Sequence, residues 1–113
     1  MKHVVICVVI LSVVMGFTTH GIVVVGGESM SPALRKGDVC VYRRNQVVDV
    51  GDIVVFRRGD GARVVHRVVE VGSRGALRTK GDASHAVDRE QVTSSRVAGP
   101  VVWRLPGPMS LMN

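Results

Sequence analysis

Ser29 is the residue of this 113-residue sequence that first invites a chemical reading. It sits in Gly26-Gly27-Glu28-Ser29-Met30-Ser31-Pro32, between a glycine pair and a Met-x-Pro corner, where the chain must bend away from an incoming strand and leave a hydroxyl exposed. A serine hydroxyl is a weak nucleophile until a base takes its proton. His66, in Val64-Val65-His66-Arg67-Val68-Val69, is the best base on offer. Strand alternation puts it on the face opposite Val65 and Arg67. An unperturbed imidazole changes charge near neutral pH, so it can take the serine proton and return it to a leaving amine. Such a base needs an acceptor behind it, and Asp82 and Asp88, in the stretch from Thr79-Lys80-Gly81-Asp82 to Asp88-Arg89, could each supply one. The chemistry would be acyl transfer through serine. His3 and His20, which flank an apolar run, and His85, which lies between the two carboxylates, fit the base less well.

Each of these residues also has a structural reading. A serine in a Gly-rich loop, a histidine on a strand and a Gly-Asp pair at a turn are each more often architecture than chemistry. Periodicity alone leaves catalysis improbable; the order of the pieces along the chain carries the weight.

The elements that must hold them are short. One domain is all that this length supports. The chain is 46% hydrophobic with 4% aromatic residues, so its apolar weight is mostly valine, which suits strands and lipid-facing segments. Runs rich in β-branched residues, broken by Gly-Asp pairs at 37–38, 51–52, 59–60 and 81–82, predict strands over 22–25, 39–42, 53–57, 63–71, 76–79 and 97–103. The two around Gly59-Asp60-Gly61 predict a hairpin. Cys7 and Cys40 are read as small hydrophobes rather than a disulfide.

Residues 4–17 are all apolar or small except Ser12, with Lys2 just before them. Thr18-Thr19-His20-Gly21 is a poor set of small residues for a cleaved signal, so a retained anchor over 1–21 is expected, followed by a β-rich domain over 22–113. The 14-residue run is short of the roughly 20 that a spanning helix prefers, a gap that tilt, extension through the threonines and bilayer thinning can close. Near the C-terminus, Pro106 and Pro108 argue against a second spanning helix. The formal charge is +6, and all but Lys2 of the 15 lysines and arginines follow the run. These cations sit mostly at strand ends rather than among aromatics, which argues against nucleic acid and for anionic lipid headgroups.

The ordered pieces Ser29-Met30-x-Pro32, Gly37-Asp38, Gly51-Asp52-Ile53-Val54, His66-Arg67-Val68 and Lys80-Gly81-Asp82 with Asp88 resemble the signature blocks of type I signal peptidases. The likeness covers residues 26–89 and is to the endoplasmic-reticulum and archaeal branch, in which histidine replaces a lysine base. It implies a mainly β, signal-peptidase-like domain behind one N-terminal transmembrane helix. It further implies Ser29 as acylated nucleophile, His66 as general base, Asp88 as the triad carboxylate, and Asp82 as a second important acidic residue. The implied activity is a membrane-bound serine endopeptidase that removes signal peptides from secreted preproteins, cutting after small residues. The implied setting is a single-pass protein of the cell membrane with its N-terminus cytoplasmic and its domain outside, meeting preprotein signal peptides, the lipid bilayer and the secretion translocon. No cofactor, metal or nucleic acid is called for.

Two departures stand out. Relatives often carry a serine two positions before the nucleophile, where this chain has Gly27, so a side-chain oxyanion donor is missing. The stretch from Val101 to Pro106 resembles the approach to a second membrane segment found in many relatives. Two other readings are a catalytically inactive homologue acting as a membrane-bound binding partner, and a serine–lysine pair using Lys80, as in self-cleaving repressor peptidases of related fold.

Overall fold

The computed structural model describes residues 2–107. Helix α1 (Lys2–Thr19) comes first. Ser12 donates its hydroxyl to the Val8 carbonyl at 2.9 Å, and Thr18 and Thr19 donate to that of Met15 at 2.9 and 2.8 Å. The helix thus satisfies its own hydroxyls, while side chains such as Ile6, Ile10 and Leu11 stay more than half exposed. Among the described residues, no helix is long and apolar enough to cross a membrane. An 18-residue helix rises about 27 Å, a little less than the ~30 Å hydrocarbon core that the predicted anchor has to cross. The proline-rich tail, on which the sequence places its argument against a second span, lies mostly outside the described residues.

Strand β1 (His20–Val24) follows with no intervening linker. Arg44 straps this junction. Its backbone N–H donates to the Thr19 carbonyl at 2.7 Å, and its guanidinium donates to the carbonyls of His20 and Thr18 while lying 5.6 Å over the Tyr42 ring. These bonds satisfy carbonyls at a helix end that otherwise lack partners.

The other strands are β2 (Val39–Arg43), β3 (Ile53–Arg57), β4 (Arg63–Val71), β5 (Leu77–Lys80) and β6 (Val97–Leu105). Each starts and stops within two residues of the sequence expectation. They form one sheet in the order β1-β2-β6-β3-β4-β5, antiparallel throughout, with the expected hairpin joining β3 to β4. β3 lies mid-sheet with both edges paired, and a separate apolar cluster covers each of its faces. Val55 packs with Val23, Met30, Leu34, Cys40 and Tyr42, whereas Val54 and Phe56 pack on the other side with Val68, Leu77 and Val92. Both cysteines are free thiols, and burial, reinforced by nearby Asp38, pushes that of Cys40 up and keeps it neutral.

Asp38, which the sequence offers only as half of a turn, is 1% exposed and brackets three segments. Its carboxylate accepts the N–H of Arg35 and that of Gly107, each at 2.9 Å, and Arg104 stands 3.7 Å away. Removing a buried acceptor strands its donors. Asp38→Ala is expected to cost about 3 kcal/mol of stability, read as a lower urea midpoint at unchanged slope.

One face of the β1-β2-β6 half carries a different surface. Ile22, Val41 and Trp103 form one cross-strand row, and Val24, Val39 and Leu105 form the next. Ile22, Val24 and Trp103 are 57%, 60% and 63% exposed, so this face is apolar and open.

Candidate active site

The turn after β1 delivers Ser29. Ser31 N–H donates to the Glu28 carbonyl at 3.0 Å and Leu34 N–H to that of Met30 at 2.9 Å, coiling the chain tightly. Met30 is buried at 1% exposure while its neighbour Ser29 is exposed, so the core grips one residue of the turn and presents the next. Ala83 N–H donates to the Ser29 carbonyl at 2.9 Å, fixing the turn against the loop after β5.

His66 sits mid-way along β4, opposite Val54 of β3. Its face is shared with Val68, and the edge of its ring is packed against Phe56 with centroids 6.3 Å apart. The structure brings three of the four residues expected from sequence into one chain of contacts. Ser29 Oγ lies 3.2 Å from His66 Nε2, and His66 Nδ1 lies 2.6 Å from Asp88 Oδ2. A carboxylate oxygen accepts, so the Nδ1 contact with Asp88 is the imidazole N–H donating, which leaves Nε2 to accept from the serine. That is the tautomer a general base requires.

Asp82 lies elsewhere. Both of its oxygens accept from Arg67, Nε and Nη2 each at 2.8 Å, and this pair holds the Asp82 carboxyl below the usual carboxylate range. Arg67 spends its remaining amino group on the Gly51 carbonyl at 2.8 Å. The clamp therefore ties β4, the loop before β3 and the loop after β5 together beside the serine. Arg67 enters the sequence reading within Val64–Val69 and the block His66-Arg67-Val68 with no role of its own; its place on the face of β4 opposite His66 is the signal that points to it. Lys80 donates to the Gly81 carbonyl at 3.2 Å, and among the described residues no hydrogen bond joins it to Ser29.

Two features bear on the reacting carbonyl. Among the described residues, the Ser29 N–H donates to no group, which leaves a backbone donor free for an oxyanion where Gly27 offers no side chain. A cleft leads away from the serine, walled by Val23, Val25, Val64 and Val65, with Arg63 and His66 at its margin. Its walls mix these valines with the cationic side chains of Arg58 and Arg63, and it is open to solvent. Among the described residues no group of metal-ligating side chains could hold an ion.

A family model described as Peptidase S24-like matches residues 11–102. Among curated proteins, the chain is similar to the signal peptidase complex catalytic subunit SEC11 of Colletotrichum graminicola, at 42% identity over 99 residues, covering 75% of this chain and 58% of the relative. The SEC11 subunit of Leptosphaeria maculans is 37% identical over 110 residues, covering 85% and 63%. That of Pyricularia oryzae is 36% identical over 99 residues, covering 75% and 58%. The chain thus spans about three-fifths of the length of these relatives.

Proposed function

The chain belongs to the Peptidase S24-like family, and from that premise we propose that it is a serine endopeptidase that removes signal peptides from preproteins at a membrane surface. The observation that supports this most is the continuous contact from Ser29 Oγ through His66 to Asp88. Ser29 is the nucleophile, His66 the general base and later the acid toward the leaving amine, and Asp88 the group that orients the imidazole. Asp82 acts through Arg67, holding the loop that backs the serine.

Substrate enters along β1. That strand pairs with β2 on one side only, so its outer edge offers N–H and C=O groups to an extended peptide leading to Ser29. The valines at residues 23–25, 64 and 65 line the cleft beyond it, and branched walls of this kind favour small residues before the cut.

Residues 1–21 act as the membrane anchor and 22–113 as the catalytic domain. Apolar side chains surround α1, and its hydroxyls are spent inside it. A helix apolar all round has no stable place in water. Local thinning of the bilayer covers the few ångströms it lacks. The open Ile22-Val41-Trp103 and Val24-Val39-Leu105 rows continue from that helix and seat the domain on the lipid, with Arg43 and Arg44 at the junction facing anionic headgroups. The N-terminus faces the cytoplasm and the domain the far side, where preproteins emerge from the translocon.

The test uses the full chain in liposomes with a preprotein whose cut follows alanine. We expect one cleavage, its position read by mass spectrometry of the new N-terminus, and a fall of about 100-fold or more in kcat/KM when that alanine becomes leucine. If the folded, inserted protein cleaves none of several preproteins but still binds them, the inactive-partner reading replaces this one.

A further inference from the structure

We propose that Thr79 is a positioning residue of the relay, its hydroxyl selecting and holding the oxygen of Asp88 that receives the His66 N–H. The inference rests on the reading of Ser29, His66 and Asp88 as catalytic.

Thr79 is fully buried, at 0% exposure, in the middle of β5. It stands opposite Val68 of β4, the residue two places along the strand from His66 and on the same face. A buried hydroxyl must find a partner, and that of Thr79 donates to Asp88 Oδ2 at 2.7 Å. The direction is fixed by chemistry, since a carboxylate only accepts. The oxygen concerned is the same one that takes the His66 Nδ1–H at 2.6 Å. Thr79 holds Asp88 at the backbone as well, its carbonyl accepting the Asp88 N–H at 2.8 Å. One residue therefore grips both the main chain and the side chain of Asp88 across the loop that separates them.

The grip matters because Asp88 is poorly confined otherwise. Its side chain is 29% exposed, against 16% for His66, and the loop around it is largely solvent-facing. A carboxylate released from Thr79 can turn toward water and let the imidazole rotate away from Ser29. Thr79 also shares the charge of Oδ2. With that donor gone, the whole charge of the oxygen meets the imidazole, and the protonated ring is held more strongly.

These two effects give opposite-looking signatures that packing loss does not produce. In Thr79→Val, which keeps the shape and removes the donor, kcat is expected to fall about 10- to 100-fold with KM within about twofold. The acid limb of kcat/KM moves to higher pH, because a carboxylate relieved of the Thr79 donor holds the protonated ring more strongly. The other charged groups around His66 are Arg57 and Arg58 at the end of β3, Arg63 and Arg67 on β4, Lys80 and Asp82 after β5, and Arg89, Glu90 and Arg96 beyond Asp88. None of them is altered by the substitution.

Thr79→Ser keeps the donor at the cost of one methyl group and recovers most of the loss. The low-field proton resonance of His66 Nδ1–H, recorded on the folded protein without substrate, shifts in Thr79→Val and returns in Thr79→Ser. Wild-type kcat, pH profile and resonance in Thr79→Val overturn the proposal. So does a Thr79→Ser variant as impaired as Thr79→Val, which reduces Thr79 to a packing residue. A wild-type protein that cleaves nothing but shows the resonance shift sinks the peptidase reading and leaves the hydrogen-bond assignment standing.

Discussion

His66→Ala is expected to lower kcat for preprotein cleavage by about 10⁴- to 10⁶-fold, and Ser29→Ala to match it. The reason lies in the contact of 3.2 Å between Ser29 Oγ and His66 Nε2. Without the imidazole no described group is bonded to the hydroxyl to take its proton; without the hydroxyl the imidazole has nothing to activate. Residues that act as one unit lose their effect together, so the double variant should be no slower than either single one. Ser29 and His66 both border the cleft, but the valines that line most of it are untouched, so KM should change no more than a fewfold. Ser29 is exposed and neither residue belongs to the two hydrophobic clusters, so circular dichroism of both variants should match wild type. Single-turnover cleavage in liposomes measures the loss. If His66→Ala retains activity while Lys80→Ala loses it, the base is the lysine and the relay drawn here is not the working one.

Gly81→Ala is the second large effect, expected at about 100-fold in kcat with a stability loss of about 1–3 kcal/mol. A Cβ at residue 81 would stand 2.7 Å from the Ser29 carbonyl oxygen, 3.2 Å from Ser29 Cβ and 3.3 Å from His66 Nε2. The first of these neighbours is backbone and cannot swing aside. Either the nucleophile's turn or the loop after β5 must shift, and both are members of the site. A displacement near 1 Å between reacting groups is enough for a loss of that size. An alanine variant within threefold of wild-type kcat, with its fold verified, would show that the loop has more slack than its contacts imply.

The strands were legible because β-branched runs ended at Gly-Asp turns, a local signal that needs no tertiary information. Their ends moved where pairing partners decided. β6 runs on to Leu105 because Val39 of β2 is there to meet it, and β1 begins at His20 because the helix hands over directly. The insertion of β6 between β2 and β3 was not legible, since it joins segments far apart in sequence. Residues alone also left Asp82 and Asp88 as equal acceptors for the imidazole. What parts them is Arg67, whose side chain leaves the opposite face of β4 and takes Asp82 with it. Thr79 gave no sign at all, because a threonine in a strand is ordinary composition. Asp38 hid in the same way behind a turn motif, and only the 1% exposure of its side chain shows it as a buried bracket.

The junction between α1 and β1 has a consequence for what such an enzyme measures. Helix passes to strand without a spacer, and Arg44 ties the two together through three carbonyls. On the proposed function, a head tied to its anchor in this way would have the elevation of its blade above the lipid set by the protein and not by the cargo. An incoming leader would then be gauged like timber against a fixed stop, the length of its greasy stretch deciding which bond arrives at the edge.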